Sequence, residues 1–133
     1  MNVLLAIQVT NSGGVFLDKT QMIKGILEGC ILKIVNKQYY YSQEIIAILH
    51  QKGFKHISEG TLFPLLLRLD KEGYFETKLI SSKVGPSRKY YQLSHSGRIA
   101  LYQFISEWRS LKNDVDLIMM EEDNIEKSFI SDQ

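Results

Sequence analysis

Apolar residues at positions 23, 26, 27, 30, 31 and 34 recur at the i, i+3, i+4, i+7 spacing of one helix face, which predicts a first helix from Ile23 to about Val35. Gly25 and Gly29 sit on one side of it. Each costs up to about 1 kcal/mol relative to alanine, so their placement predicts close approach of another backbone. The polar run NKQYYYS then forms a connection. Ser42 is the expected N-cap of a second helix that carries Glu44 in its first turn, buries Ile45, Ile46 and Leu49, and stops at Gly53. A third helix opens at Ser58, and Leu62, Leu65, Leu66 and Leu69 form its inward stripe. Pro64 removes an amide donor and its ring crowds the carbonyl of Gly60, so the early turns of this helix are expected to be irregular.

Beyond residue 74 the period changes. Phe75 to Ile80 and Arg88 to Leu93 are rich in aromatic and branched residues and flank a polar loop containing Gly85-Pro86, which predicts a two-strand hairpin. Ser94 then caps a last helix. Its apolar residues Leu101, Phe104, Trp108, Leu111, Val115 and Ile118 follow steps of 3, 4, 3, 4 and 3. Such a heptad seam on a helix leaving its domain needs a partner, and a second copy of the chain is the simplest one.

Three helices followed by a hairpin and a further helix read as a winged helix-turn-helix. The fold class expected is mainly α with a small β-hairpin wing, extended by a long C-terminal dimerisation helix. The organisation expected is an N-terminal extension over residues 1–21, a DNA-binding unit over 22–93, the dimerisation helix over 94–120 and an acidic, fraying tail over 121–133. The extension fits the rest poorly: VLLAIQV suggests a short strand and NSGG a joint, peripheral to function.

Charge sharpens the picture once it is divided along the chain. The net charge is only +1 over 133 residues, yet residues 52–98 hold nine Lys or Arg against four Asp or Glu, and residues 99–133 hold three against eight. The basic part coincides with the third helix and the hairpin, as a nucleic-acid face requires. On that helix Gly60, Pro64, Leu67 and Lys71 lie opposite the inward stripe, with Thr61 and Arg68 on one flank and Phe63 on the other. Thr61, Phe63, Arg68 and Lys71, with Lys83, Arg88 and Lys89 of the hairpin, are the DNA-binding candidates. Two of these neighbours have a second reading: Arg68 can pair with Glu72 at i+4, and Leu67 can either touch a thymine methyl or pack under Tyr40 or Tyr41.

The motifs GTLFPLL at 60–66, Arg68-Leu69, Glu72-Gly73 and GPSRKYYQLS at 85–94, with Gly97 after them, occur in an order and at separations that resemble the PadR family of bacterial transcriptional regulators. The resemblance spans about Met22 to Met120. It implies a dimeric winged-helix repressor of a two-fold DNA operator, often with an effector pocket, and assigns Thr61, Phe63 and Arg68 to the recognition-helix motif. Phe63 stands where the family usually has tyrosine, Leu67 where a polar or basic residue is frequent, and Tyr41-Ser42-Gln43-Glu44-Ile45 replaces a small-residue and Gly-Tyr pattern. Some members bind aromatic compounds beside their C-terminal helices, with a tryptophan at the place of Trp108. Trp108 and Phe104 are therefore the effector-binding candidates, the alternative being that Trp108 only fills a dimer core.

Other classes find little support. His50, His56 and His95 are scattered, the glycines form no phosphate cradle, and no HExxH or CxxC occurs, so neither catalysis nor a cofactor nor a metal is expected. Cys30, the single cysteine, lies on an apolar stripe and reads as a small buried thiol. No apolar run approaches the roughly 18 residues that span a bilayer, and the first residues lack a signal-peptide pattern, which together favour a cytoplasmic protein. A winged-helix module that binds a protein through the same hairpin is the competing function.

Overall fold

The computed structural model describes Ile23 and residues 25–121. The expected extension and most of the acidic tail lie outside them. The elements are α1 (Leu27–Ile34), β1 (Tyr40–Tyr41), α2 (Ser42–Gln51), α3 (Glu59–Lys71), β2 (Phe75–Ile80), β3 (Arg88–Leu93) and α4 (His95–Met119). This is a mainly α winged helix carrying a three-strand antiparallel sheet in the order β1-β3-β2 and a long C-terminal helix.

The first helix is shorter than its apolar period suggests. A turn at Gly25-Ile26 precedes it, and Gly25 is exposed with nothing packed on its α-carbon to offset the cost of glycine in a helix. Gly29 is buried, but what approaches it is the ring of Phe104 from α4 rather than a backbone. The second helix begins one residue earlier than expected: Tyr41 occupies the cap position, and its backbone N–H donates to Glu44 Oε1 at 3.1 Å. Both α2 and α3 end in the same way. Gly53 and Gly73 take φ of 108° and 83°, and the N–H groups of Phe54 and Tyr74 reach back to the carbonyls of Leu49 and Leu69, so the last turns close on glycines that can enter the left-handed region. Helix α3 runs unbroken through Pro64, contrary to the expected irregularity. Gly60 and Pro64 are both exposed there, so solvent can serve the carbonyl that proline leaves without a donor.

One core joins the elements. Leu27, Ile31, Leu32 and Val35 of the first helical segment meet Ile45 and Leu49 of α2, Leu62, Leu66 and Leu69 of α3, and Phe75, Tyr91 and Leu93 of the sheet, all buried. The sheet leaves this core as it lengthens. Phe75 pairs with Leu93 inside, whereas the far end, where Ile80 pairs with Arg88, is solvated and forms the wing. Within the expected connection lies the short β1, which sets Tyr40 and Tyr41 opposite Tyr91 and Tyr90 and ties the approach to α2 onto the wing.

The Ser94 hydroxyl caps α4 by accepting the Gly97 N–H at 3.1 Å. The helix then divides. Gly97 and Leu101 are buried in the chain's own core, and Phe104 packs on Gly29, so the seam expected to begin at Leu101 is occupied internally over its first two positions. From Trp108 onward the apolar stripe is open, with Leu111 55% and Ile118 67% exposed.

Candidate nucleic-acid interface

On helix α3, Leu62, Leu66 and Leu69 face inward, Gly60, Pro64, Leu67 and Lys71 face solvent, and the two flanks are distinguished by what they touch. Arg68 forms an ion pair with Glu28 of α1. The other flank faces the wing: Lys89 Nζ donates to Asp70 Oδ2 at 2.8 Å, and Phe63 lines a cleft of about 450 Å³ with Tyr41, Val84, Arg88 and Lys89. Arg88 lies over the Tyr41 ring at 4.7 Å, and Tyr41 meets Tyr90 edge-on with centroids 5.3 Å apart. A guanidinium over an aromatic ring, at the lining of this cleft, is a group that can bind a phosphate.

The seven sequence-derived candidates therefore differ in state. Lys71 and Lys83 are exposed and have no carboxylate partner among the described residues. Phe63 is 48% exposed, and the Thr61 hydroxyl stands 3.4 Å from that of Ser58 at the start of the helix. Arg68 and Lys89 are already paired. The alternative i+4 pairing of Arg68 with Glu72 does not form; the flank carrying Arg68 faces α1 and meets Glu28 instead. Leu67 is 62% exposed, so it does not pack under Tyr40 or Tyr41. An exposed leucine beside Lys71 offers an apolar contact of the kind a thymine methyl accepts.

Burial and hydrogen bonding shift three titrations upward. Lys89 rises chiefly through its hydrogen bond to Asp70, and burial raises both the Tyr91 phenol and the Cys30 thiol. A raised thiol is a poor nucleophile and fits a structural cysteine. His50 Nε2 donates to the Ile57 carbonyl at 2.7 Å, a bond that fixes the loop between α2 and α3. Among the described residues no group of three His, Cys, Asp or Glu is placed to hold a metal ion, and no helix is long and apolar enough to cross a membrane.

A second concavity, of about 760 Å³, lies along α4. Phe104, Trp108, Leu111 and Val115 form one wall, and Gly25 and Ile26 the other. Its surface is mostly apolar, and Trp108 is 37% exposed within it.

Tyr41, Asp70 and Glu28, which the sequence does not single out, are the residues that contact the candidates Arg88, Lys89 and Arg68. Only Tyr41 left a signal, as a departure from the family pattern at the start of α2.

Comparison with known proteins agrees with this geometry. Residues 31–103 match the model of the transcriptional regulator PadR-like family. A PadR-like transcriptional regulator from Bacillus cereus is 40% identical, covers 77% of this chain and 99% of its own, and superposes with a TM-score of 0.68. A PadR-like transcription factor from Bacteroides fragilis is 37% identical over 75% of this chain and 96% of its own, with a TM-score of 0.64. A Streptococcus transcriptional regulator is 35% identical over 76% and 99%, with a TM-score of 0.66.

Proposed function

The chain belongs to the PadR-like family of transcriptional regulators, and from that premise we propose that it is a homodimeric repressor released from its operator by a small aromatic effector. DNA binding itself follows from the family. The observation that carries the finer reading is the division of α4: half of it packs within the protomer, and the rest extends an open apolar stripe through Trp108, Leu111, Val115 and Ile118. A second copy laid along that stripe removes it from water and sets two α3 helices on a two-fold axis, as a palindromic site demands. The same arrangement encloses the groove beside Trp108, where a planar aromatic molecule can stack on the indole.

In this reading α3 enters the major groove with Leu67 and Lys71 outward, while Lys83 and Arg88 hold flanking phosphates. An effector weakens binding only by favouring a dimer whose recognition helices are misplaced.

Footprinting on the DNA upstream of the chain's own gene, followed by titration with phenolic acids and planar cationic aromatics, tests it. The expected result is a two-fold protected site lost on addition of one such compound, with quenching of Trp108. Protection unaffected by any of them defeats the effector part, and affinity too weak to register on any duplex favours a protein-binding wing.

A further inference from the structure

The cationic face of this protein carries its own anions. Helix α3 is bracketed by one ion pair on each flank, Arg68 with Glu28 of α1 and Lys89 of β3 with Asp70 of α3 itself. We propose that Glu28 and Asp70 are counter-charges that neutralise Arg68 and Lys89 in the free protein and so lower its affinity for DNA of arbitrary sequence. The inference rests on the DNA-binding reading of α3 and the wing.

In both pairs the carboxylate is the more sheltered member. The Glu28 side chain is 19% exposed against 65% for Arg68, and Asp70 30% against 40% for Lys89. The anion is thus anchored and the cation is its outer partner. Exposed ion pairs are worth at most about 1 kcal/mol, so neither pair is a substantial prop of the fold and a phosphate can displace either carboxylate. Their effect lies elsewhere. Binding to arbitrary sequence is driven almost wholly by cations that release counterions from phosphates, and a cation already matched by a carboxylate contributes little to that release. Binding to an operator adds base contacts through α3, which these carboxylates do not oppose. Neutralising two flanking cations therefore weakens the component of binding that is independent of sequence.

Glu72 supplies an internal comparison. It lies two residues beyond Asp70, exposed, and its carboxylate has no cation partner among the described residues. Removing its charge changes the total field as Asp70→Asn does but frees no cation.

The test measures fluorescence anisotropy of a labelled random-sequence duplex across a salt series for the full chain and its variants. Asp70→Asn and Glu28→Gln should each steepen the dependence of log K on log salt by about 0.9 per freed cation, equivalent to roughly eight-fold between 1 M and 0.1 M salt. Glu72→Gln should leave the slope unchanged, Asp70→Glu should retain the wild-type slope, and Asp70→Asn combined with Lys89→Gln should return to it. Thermal melts establish that each variant is folded, and Glu28→Gln is an independent arm should Asp70→Asn misfold. Wild-type slopes in both charge-removing variants, or equal steepening by Glu72→Gln, overturn the proposal while leaving DNA binding intact. A wild-type protein that bound no duplex would overturn both.

Discussion

The ring of Phe104 occupies the space that a side chain at Gly29 would fill, so that a Cβ built on Gly29 would overlap it. Helix α4 lies close against α1 because one residue lacks a side chain and the other supplies a flat one. Gly29→Ala must displace the ring, and overpacking of this kind costs about 1 to 3 kcal/mol. A thermal melt should register the loss, and pairing the change with Phe104→Leu should recover part of it. A Gly29→Ala protein as stable as the wild type would refute the contact.

Operator binding should depend on the cations unevenly. Lys83→Ala and Arg88→Ala should each weaken it and flatten its salt slope by roughly one unit per lost phosphate contact. Lys89→Ala should do less, because Asp70 already holds its charge. Equal slopes for wild type, Lys83→Ala and Arg88→Ala on a verified site would remove the wing from the interface.

Assembly should fail when the open stripe of α4 is charged. Leu111→Asp sets a carboxylate where the proposed dimer is apolar, at a cost of several kcal/mol if it stays ionised and unpaired (roughly, from transfer of a charge without a partner). Sedimentation should show monomers, and the two α3 helices would no longer reach half-sites roughly 34 Å apart. An intact variant dimer at micromolar concentration would place the contact elsewhere.

Stability should fall on the alkaline side. Tyr91 and Cys30 are held protonated by burial, and Lys89 is held protonated chiefly by Asp70, so all three have folded-state values above their ordinary 10.0, 9.0 and 10.5. Between the unfolded and the folded value of each group the native state retains more protons, so its contribution is complete below the unfolded value and is lost as pH rises through the folded one. Melting temperature should therefore decline from about pH 9 upward, and Tyr91→Phe should flatten the upper part of that decline. A melting temperature constant to pH 11 would contradict these shifts.

Much of this arrangement was legible in the residue pattern, and what was not has a common cause. The strands Phe75 to Ile80 and Arg88 to Leu93, the stop at Gly53 and the Ser94 cap each depend on neighbours in sequence, and each is found as read. The two-residue strand β1 is too short to carry a period. The pairing of Glu28 with Arg68 joins residues 40 apart, and nothing local in either helix distinguishes it from the i+4 pair of Arg68 with Glu72. Steps of 3 and 4 along α4 describe one continuous stripe without saying what covers it. Leu101 and Phe104 face the same chain, while Trp108 onward do not.

The joint at the head of α4 has a mechanical meaning. The hydroxyls of Ser94 and Ser96 both donate to the Gly73 carbonyl, at 2.7 and 2.9 Å, and Gly97 sits so close to Tyr74 that a Cβ there would collide with its carbonyl. These contacts fasten the helix to the turn that ends α3. With 25 residues at 1.5 Å each, α4 is a lever about 37 Å long. Since Leu101 and Phe104 also hold it to the core, α4 turns together with α3, and a tilt of the whole by about 5° sweeps the far end through about 3 Å, close to the 3.4 Å step between successive nucleotides of duplex DNA. In the proposed dimer, gripped at the far end, a tilt of a few degrees between the two copies would carry a recognition helix from one base pair to the next.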